Sequence, residues 1–334
     1  MLFSMVARLA AVLMVLVGCV PAPIPTPAPV PAPVSLLSFN TAQGAGPSYR
    51  TTSHRAAQRR WLDQGGAQLI GLQEVDFFVA RSGQVDVATA LTPFDCNVSD
   101  WRSEGTRRCV GESGTVVSAR ALCAADPYRN DEEGRPAGIP DENGVLDRSP
   151  TACYGLSLIV RGLVVKETYA VGLPNDASWP VTRPFDRGLV AASIDETTLR
   201  ALSEHNDAVR RGPAFEPRVL LVAHLTRPAG PELAVMVVHL EYEGGTPLAL
   251  HQLQRVRTLM ALERNAGRQV VVFGDFNLTA PDVASVLVDL TPTVESTDVV
   301  DQIWLDASLT IETAEDRSTE SLSDHPAAPY AVVY

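Results

Sequence analysis

The sequence has almost no lysine: Lys166 is the only one, so 26 of its 27 positive charges are arginines. Codon bias in a GC-rich genome is one explanation. The other is phosphate recognition, because the planar guanidinium group of arginine forms two parallel hydrogen bonds to a phosphate. The ratio of arginine to lysine does not separate these explanations.

Positive charge is scarce as a whole, since 27 Lys and Arg stand against 39 Asp and Glu and give a net charge of 27 − 39 = −12. This excludes a protein that coats nucleic acid through a broad basic surface, but not an enzyme that binds phosphate through a metal ion. With 46% apolar and 20% charged residues, the chain is neither disordered nor collagen-like. Its 334 residues allow one large domain or two ordinary ones.

Residues 1–18 have the pattern of an export signal, with an apolar run from Leu9 to Val17 after the single charge of Arg8. This run is far shorter than the about 20 residues of a membrane-spanning helix. It ends in Gly18-Cys19, which resembles a bacterial lipoprotein signal and implies cleavage before Cys19 and a lipid on its thiol. The alternative is an ordinary secretory signal that contains a cysteine. We expect an exported protein, anchored by lipid to a bacterial membrane at its outer face or in the periplasm.

A proline-rich linker is predicted at residues 19–34, where every second residue from Pro21 to Pro33 is proline. Proline fixes φ and lacks an N–H, so this segment cannot join a helix or a central strand. An extended spacer of roughly 40 Å is expected at ~3.1 Å per residue, and a featureless disordered linker is the alternative. Either way, the folded domain is predicted at residues 35–334.

Four cysteines follow Cys19, namely Cys96, Cys109, Cys123 and Cys153. An even number in an exported protein predicts two disulfides, for which three pairings exist. We favour Cys96–Cys109 and Cys123–Cys153, because each closes a local loop. The spacing contains no CxxC pair, which argues against a zinc site.

Residues 81–153 hold all four of these cysteines and are rich in Asp, Glu, Gly, Pro and Arg. This composition predicts a disulfide-stapled insertion without a core of its own. Its acidic residues, Asp131, Glu132, Glu133, Asp141, Glu142 and Asp147, suit a structural Ca²⁺ ion, which prefers oxygen ligands. A solvated acidic loop is the alternative, and it is the one we favour.

Short apolar runs alternate with loops along the rest of the chain, which predicts many β-strands. The predicted strands are residues 35–39, 68–72, 155–161, 188–194, 218–225, 233–240, 269–273 and 299–305. Helices are predicted at residues 54–64 and 248–265, where apolar residues share one side. A third is predicted at residues 282–290, after a Thr-Ala-Pro start.

Several of these runs end in polar residues that bind metals or move protons. They are Asn40, Glu74, His239, Asp275 and Asn277, with Asp324-His325 near the C-terminus. Each alone has a structural alternative, such as a turn residue or a surface carboxylate. Ligands of α/β sheets gather outside the carboxyl ends of the strands. The repeated placement therefore predicts that these side chains converge on one cleft.

The order and types of these residues resemble the endonuclease/exonuclease/phosphatase superfamily, which includes DNase I. The matching motifs are Ser38-Phe39-Asn40, Gln73-Glu74, Tyr154-Gly155 leading to Arg161, Val238-His239-Leu240, Gly274-Asp275-Phe276-Asn277, Asp301-Gln302-Ile303 and Ser323-Asp324-His325-Pro326. The resemblance implies an α+β fold, a four-layer α/β/β/α sandwich of two packed mixed sheets. One departure is Leu156, which stands where many members have asparagine, so a polar contact to the phosphate or the histidine is missing or replaced.

The resemblance implies a divalent metal site for Mg²⁺, with Mn²⁺ as a substitute. Glu74 would be the chief ligand, with Asn40 and Asp324 in or near the coordination shell. Mg²⁺ keeps several waters in protein sites, so one or two carboxylates suffice.

The same resemblance assigns catalytic roles. Asp275 would orient or deprotonate the attacking water, and Asn277 would hold Asp275 or the phosphate. Asp301 would accept a hydrogen bond from His325 and favour its charged form. The remaining assignments are a contact to the phosphate or the leaving group by His239 and a hydrogen bond to the phosphate from Tyr154. Apart from the resemblance, an arginine-lined cleft would suit a phosphate substrate; its candidates are Arg55, Arg59, Arg60, Arg183 and Arg187, of which Arg59 and Arg60 fit a solvated helix face better.

An exported nuclease that hydrolyses phosphodiester bonds is the first functional expectation. The second is a phosphodiesterase or phosphatase for lipid headgroups or small molecules, similar to sphingomyelinases or inositol phosphatases. An inactive, lipid-anchored binding protein is the third expectation. The presence of all the expected metal ligands and catalytic residues in the sequence argues against it. We expect a monomer whose partners are its phosphoester substrate and, through the lipid, the membrane.

Overall fold

The structure is a computed structural model that describes most of the chain beyond residue 31. The described residues are 32–42, 52–92, 94, 101–112, 114–125, 138–140, 145–176, 183, 185–189, 193–211, 216–243, 245–293, 300–319, 322–325 and 327–334, without the side chains of residues 140, 187 and 327. They all belong to one compact unit. The predicted signal, the proline-rich linker up to residue 31 and the lipidation site Cys19 lie outside them.

Fifteen strands make up most of the regular structure in the described residues. They are β1 (Val34–Asn40), β2 (Leu69–Phe77), β3 (Thr106–Gly111), β4 (Gly114–Cys123), β5 (Ile139–Pro140), β6 (Leu146–Asp147), β7 (Cys153–Val160), β8 (Val164–Gly172), β9 (Val219–Thr226), β10 (Leu233–His239), β11 (Gln269–Asp275), β12 (Leu290–Pro292), β13 (Asp301–Asp306), β14 (Ile311–Ser318) and β15 (Ala327–Val333). They form a seven-stranded sheet in the order β14-β15-β1-β2-β7-β4-β3 and a six-stranded sheet in the order β12-β13-β11-β10-β9-β8, and β5 pairs with β6. The pairs β1–β2 and β10–β11 are parallel and their other neighbours antiparallel, so both large sheets are mixed.

Six α-helices in the same residues flank the sheets. They are α1 (Thr52–Gly65), α2 (Val87–Ala90), α3 (Asp186–Leu189), α4 (Glu196–Arg210), α5 (Gly245–Asn265) and α6 (Ala280–Val286). Asp195 caps α4 and Thr279 caps α6, each by accepting a hydrogen bond from a backbone N–H three residues on. No helix among the described residues is both long and apolar enough to cross a membrane.

Three apolar clusters hold four layers together. One lies between the sheets and joins Leu36, Leu158, Val237 and Phe273, among others. The second packs the six-stranded sheet against α4, α5 and α6, and the third packs the seven-stranded sheet against α1 and α2. Strands buried on both faces are apolar at nearly every position, as β10 is. The predicted four-layer sandwich of two mixed sheets is confirmed.

A glycine lets the two sheets approach closely. Gly71 of β2 faces Phe273 of β11, and a Cβ at residue 71 would lie 2.2 Å from that ring. The aromatic ring therefore sits on the bare backbone of the opposite sheet.

The predicted elements are confirmed where apolar runs are long. The strands predicted around residues 35–39, 218–225, 233–240 and 269–273 and the helices predicted at 54–64 and 248–265 are present with slightly different ends. The strand predicted at 188–194 is wrong over the residues that the structure describes, because Asp186–Leu189 form α3 and Asp195 caps α4. The helix predicted at 282–290 begins at Ala280 and ends at Val286, and Leu290 belongs to β12.

The bounds predicted for the insertion, residues 81–153, include strands that belong to the main fold. β3 and β4 lie within it, and β4 pairs with β7 along its length, so this hairpin belongs to the seven-stranded sheet. Cys123 and Cys153 form the predicted disulfide between β4 and β7. Cys109 is also disulfide-bonded, whereas Cys96 lies outside the described residues.

The acidic stretch proposed for Ca²⁺ also falls mainly on residues that are not described. Asp147 is the described member. Its carboxylate accepts hydrogen bonds from the backbone N–H groups of Ala80 and Ser149.

Candidate active site

The predicted site residues meet at one edge of the sandwich, where strands of both sheets end or begin. β1 ends at Asn40, β10 ends at His239 and β11 ends at Asp275. Antiparallel neighbours start at the same edge, which brings in Tyr154 of β7 and Asp301 of β13. The expected convergence of these side chains on one cleft is therefore present.

Glu74 owes its position to an irregularity in β2. The register between β2 and β7 shifts between Leu72 and Val75, and Glu74 has a φ of 54°. A positive φ is uncommon for a residue with a side chain and concentrates at functional sites. The hydroxyl of Thr41 donates to the Glu74 carbonyl at 2.7 Å and helps to fix this bulge.

Asn40 contacts three other members of the site. Its amide Nδ2 lies 3.2 Å from Oε1 of Glu74 and 3.5 Å from Oδ2 of Asp275. The same nitrogen lies 3.3 Å from Nε2 of His325. Asn40 is 1% exposed. Its side chain therefore connects the two carboxylates and the histidine in an environment that is largely shielded from water.

A helix residue ties the two loops of the site together. Gln58 of α1 is fully buried, and its amide nitrogen donates to the carbonyls of Thr41 and Leu322 at 3.1 and 2.8 Å. One carbonyl follows Asn40 and the other precedes Asp324. The loop with Asp324 and His325 is thereby held beside the end of β1.

Asp275, Asp301 and His325 form a chain of contacts. Asp275 and Asp301 are register partners on β11 and β13. Nδ1 of His325 is hydrogen-bonded to Oδ2 of Asp301, while Nε2 of His325 lies 3.7 Å from Oδ2 of Asp275. Asn277 donates its backbone N–H to Oδ1 of Asp275 at 2.9 Å.

Two groups of this chain of contacts, Asp275 and His325, both have a raised pKa. Burial raises the pKa of Asp275 to about 7, and the negative charges of Asp301 and Glu74 add to this, against the opposing effect of His325. Burial by itself would lower the pKa of His325, but the hydrogen bond and charge of Asp301, with Asp275, raise it to about 10. At neutral pH His325 is a cation beside a carboxylate that is close to its own pKa.

Gly274 allows the backbone conformation at the end of β11, next to Asp275. It has a φ of 144°, and a Cβ there would lie 2.0 Å from the carbonyl oxygen of Val238. Gly274→Ala should lower the free energy of unfolding by more than about 1–3 kcal/mol, since the backbone would be strained and would also clash. Urea denaturation measures this. Gly267→Ala is the control, because Gly267 has a φ of 82° with nothing within 4 Å of a Cβ, and an equal loss in both variants would contradict the role of the clash.

The cleft between these residues has a volume of about 400 Å³. Its lining includes Glu74, Tyr154, His239, Asp275, Asn277, Asp324 and His325, as expected from the sequence, together with Arg81, Glu216, Arg218, Tyr242 and Glu243. Asn40 and Asp301 lie directly behind this lining, in contact with His325. The structure thus brings together every predicted metal-binding and catalytic residue, and it adds two arginines.

Of the arginines proposed from the sequence, Arg55, Arg59, Arg60 and Arg183 do not line the described cleft. The side chain of Arg187 lies outside the described residues. Arg55 donates to the carbonyl of Ser82, and Arg59 lies 3.9 Å from Asp63. Arg81 and Arg218 take their place in the cleft. The missed signal for Arg218 was its position at the start of a strand antiparallel to the one that ends in His239.

The chemistry of the site fits a hard divalent cation. Within the described residues, no three side chains among His, Cys, Asp and Glu are arranged as a closed ion cage. Mg²⁺ does not need one, because it is held by one or two carboxylates together with waters and substrate oxygens. Burial, with the negative charges of Asp301 and Glu74, raises the pKa of Asp275, and a cation near Glu74 would counter this effect. Glu74 and the exposed Asp324 bring carboxylate oxygens to the cleft, while Asn40 donates from Nδ2 to Glu74 and accepts at Oδ1 from the N–H of Ala42.

Two mixed sheets packed face to face, with helices outside and this cleft at one edge, define the DNase I-like α+β class of proteins. The sequence itself matches the model of the endonuclease/exonuclease/phosphatase family over residues 37–325. The chain therefore belongs to that family, whose members hydrolyse phosphoesters. A search of curated proteins finds no match.

Solved structures share the fold at low sequence identity. The catalytic domain of human nocturnin with bound sulfate is 15% identical, with a TM-score of 0.55 over 91% of this chain and 96% of that one. A mannosyl-6-phosphatase from Bacteroides thetaiotaomicron is 13% identical, with a TM-score of 0.52 over 90% of this chain and 99% of that one. An endonuclease/exonuclease/phosphatase from Beutenbergia cavernae is 14% identical, with a TM-score of 0.51 over 90% and 71%.

Proposed function

We propose that the chain is a divalent-metal-dependent phosphoesterase that acts on phosphodiester bonds. The observation that carries this proposal is the contact network of Asn40, Glu74, Asp275, Asp301 and His325 at the joined edge of both sheets. It combines a site for a cation, a carboxylate that can take a proton and a histidine held in its charged form. These are the groups that phosphoester hydrolysis needs.

Glu74, with Asp324 and Asn40 in or near the coordination shell, would hold a Mg²⁺ ion, which would supply Lewis acidity to a phosphoryl oxygen. Asp275 orients the attacking water and accepts its proton, for which a pKa near the working pH is suited. Asn277 fixes the angle of that carboxylate through its backbone N–H. His325, paired with Asp301, donates a charge-assisted hydrogen bond to the phosphoryl group. Burial raises the pKa of Tyr154 well above 10, so its hydroxyl remains a donor.

Metal dependence is the direct prediction from this site. Hydrolysis of bis-p-nitrophenyl phosphate should require Mg²⁺ or Mn²⁺, stop with EDTA and return when the ion is restored. Glu74→Gln should raise the Mg²⁺ concentration needed for half-maximal activity by 10-fold or more.

A thermal measurement tests the same site without turnover. Since the folded pKa of Asp275 is raised to about 7, the metal-free protein loses stability as the pH rises through that value. A bound cation offsets this loss, so Mg²⁺ should raise Tm more at pH 8 than at pH 5. An equal shift at both pH values, or none, would contradict the proposed site.

A small phosphodiester is the substrate that the described lining favours. Of the described residues that line the cleft, Glu74, Glu216, Glu243, Asp275 and Asp324 are acidic, whereas Arg81 and Arg218 are its arginines. Arg81 is paired with Asp76, and Arg218 with Glu216. A long polyanion would bring several phosphate charges to this acidic lining, whereas a headgroup-sized ester brings few and places them beside the proposed cation.

Nucleic acid, the first expectation from the sequence, is the second candidate. Tyr242 supports it, because this side chain lines the cleft and is 73% exposed. Exposed aromatic rings stack on nucleobases. The purified protein with Mg²⁺ should be tested on plasmid DNA, RNA, sphingomyelin, inositol phosphates and bis-p-nitrophenyl phosphate. Cleavage of nucleic acid with no activity on the small esters would decide for the nuclease.

Export and lipid anchoring at Cys19 remain part of the proposal. The disulfide between Cys123 and Cys153 supports an oxidising compartment. Membrane fractionation of cells that express the chain tests the anchor. The protein should sediment with membranes, and Cys19→Ala should release it into the soluble fraction or leave its precursor uncleaved. Identical distribution and processing of both forms would contradict lipidation.

A further inference from the structure

A buried arginine lies directly behind one histidine of the cleft. Arg218, which precedes β9, is 7% exposed, and its Nη1 lies 3.1 Å from Nδ1 of His239. No sequence motif contains this arginine. Its contact with His239 bears on which ring nitrogen of that histidine carries a proton.

A guanidinium group has five N–H donors and no acceptor, and it stays charged at all working pH values. Nδ1 of His239 must therefore be the acceptor in this contact. The proton of a neutral ring then sits on Nε2, which lies 3.5 Å from Oδ2 of Asp275. Arg218, which can only donate, faces Nδ1, and the carboxylate of Asp275, which accepts, faces Nε2. Both contacts favour the tautomer with its proton on Nε2.

Arg218 is itself held in place from two sides. It lies 3.2 Å from a carboxylate oxygen of Glu216 and 3.5 Å from one of Glu241. Leu156 lines the small cavity between Arg218 and His239 and brings no polar group to it. Of Leu156 and Arg218, the arginine is the one that makes a polar contact with His239.

The charged and titratable groups around His239 come from four elements. Tyr154 of β7 lies 3.4 Å from Nδ1, and Arg218 and Asp275 flank the two ring nitrogens. His325 acts from the loop before β15. Burial, together with the positive charges of Arg218 and His325, lowers the pKa of His239 well below 6.5.

We propose that Arg218 is a positioning residue that fixes His239 as a neutral imidazole with its proton on Nε2. His239 then serves as a hydrogen-bond donor to the phosphoryl group or the leaving oxygen, and does not transfer a proton. This inference rests on the proposed phosphoester hydrolysis for its functional part. The tautomer itself is a property of the protein alone.

The test is NMR spectroscopy of the histidine ring nitrogens in the full chain with Mg²⁺, with the His239 signals assigned by their loss in His239→Asn. The wild type should show a neutral ring protonated at Nε2 from pH 5.5 to 8.5. Arg218→Met should release this state, so that the ring titrates and kcat falls about 10-fold, a typical loss for a residue that orients a histidine. Arg218→Lys, which keeps a charged donor, should restore the tautomer and most of the activity.

Arg227→Met is the matched control, because Arg227 is 6% exposed and donates to Pro231 away from the cleft. It should leave the His239 signals and kcat unchanged. A wild-type ring that is charged or protonated at Nδ1 overturns the proposal, and so does an Arg218→Met protein with an unaltered ring and kcat. If Arg218→Met does not fold, the wild-type and Arg218→Lys spectra decide. A protein that hydrolyses nothing with Mg²⁺ overturns the proposed function but leaves the tautomer measurement valid.

Discussion

Asp275→Asn should lower kcat on bis-p-nitrophenyl phosphate by about 10²–10⁴-fold, the range that a positioned general base contributes. Asparagine has nearly the same shape, and the backbone N–H of Asn277 can still donate to its side-chain oxygen. The variant loses only the ability to take a proton from water. The affinity for Mg²⁺ should stay within a few-fold, because Glu74 and Asn40 are intact.

The pH profile separates this role from a structural one. The pKa of Asp275 is raised to about 7 without a metal ion, and a bound cation would lower it. The wild-type kcat/KM with Mg²⁺ should therefore rise with pH and level off below about 7, while the residual activity of Asp275→Asn should lack this limb. A variant with wild-type turnover, or with the same acidic limb, would remove Asp275 from the mechanism.

Asp301→Asn should lower kcat at pH 8 by about 10²-fold, through the charge of His325. The amide oxygen of asparagine can still accept the hydrogen bond from Nδ1, so the ring keeps its orientation. The negative charge that raises the pKa of His325 to about 10 is lost, and burial then favours the neutral ring. The pKa of Asp275 also falls, because Asp301 contributes to raising it.

The acidic limb of the pH profile should consequently move to lower pH in Asp301→Asn, and activity should fall at higher pH as His325 loses its proton. The charged His325 stabilises the fold below its ordinary pKa of 6.5, and this contribution is lost as the pH rises through about 10. The variant should therefore be most destabilised relative to the wild type below pH 6.5, and the difference should shrink as the pH rises toward 10, as thermal unfolding will show. Asp306→Asn, at the far end of β13 where the carboxylate binds Arg264, is the control. An unshifted profile in Asp301→Asn would refute the pairing.

Much of the site was predictable because its residues follow apolar runs. Asn40, His239 and Asp275 each end a strand that is buried along its length. Such strands are readable from sequence, and their ends meet at one edge. The pairing of Asp301 with His325 has no local signal, and it came from the resemblance to the family.

Elements with polar buried faces were not predictable in the same way. Helix α4 packs His205 and Asn206 against β8, where they bond to backbone groups of Gly172, so the expected apolar stripe is interrupted. Strand β14 lies at a sheet edge with mostly exposed residues and shows no alternation. Arg218 escaped notice because it stands before a strand, and only the antiparallel pairing of β9 with β10 brings it to His239.

The packing of the Phe273 ring against Gly71 brings the two sheets together, and the candidate active site depends on both of them. Asn40, Glu74 and Tyr154 belong to one sheet, while His239, Asp275 and Asp301 belong to the other. Neither sheet alone carries a complete site. The docking of the sheets joins residues far apart in the chain, which are the slow contacts to form in folding. Catalytic competence thus requires both sheets to be docked, with the Phe273 ring packed against the backbone of Gly71.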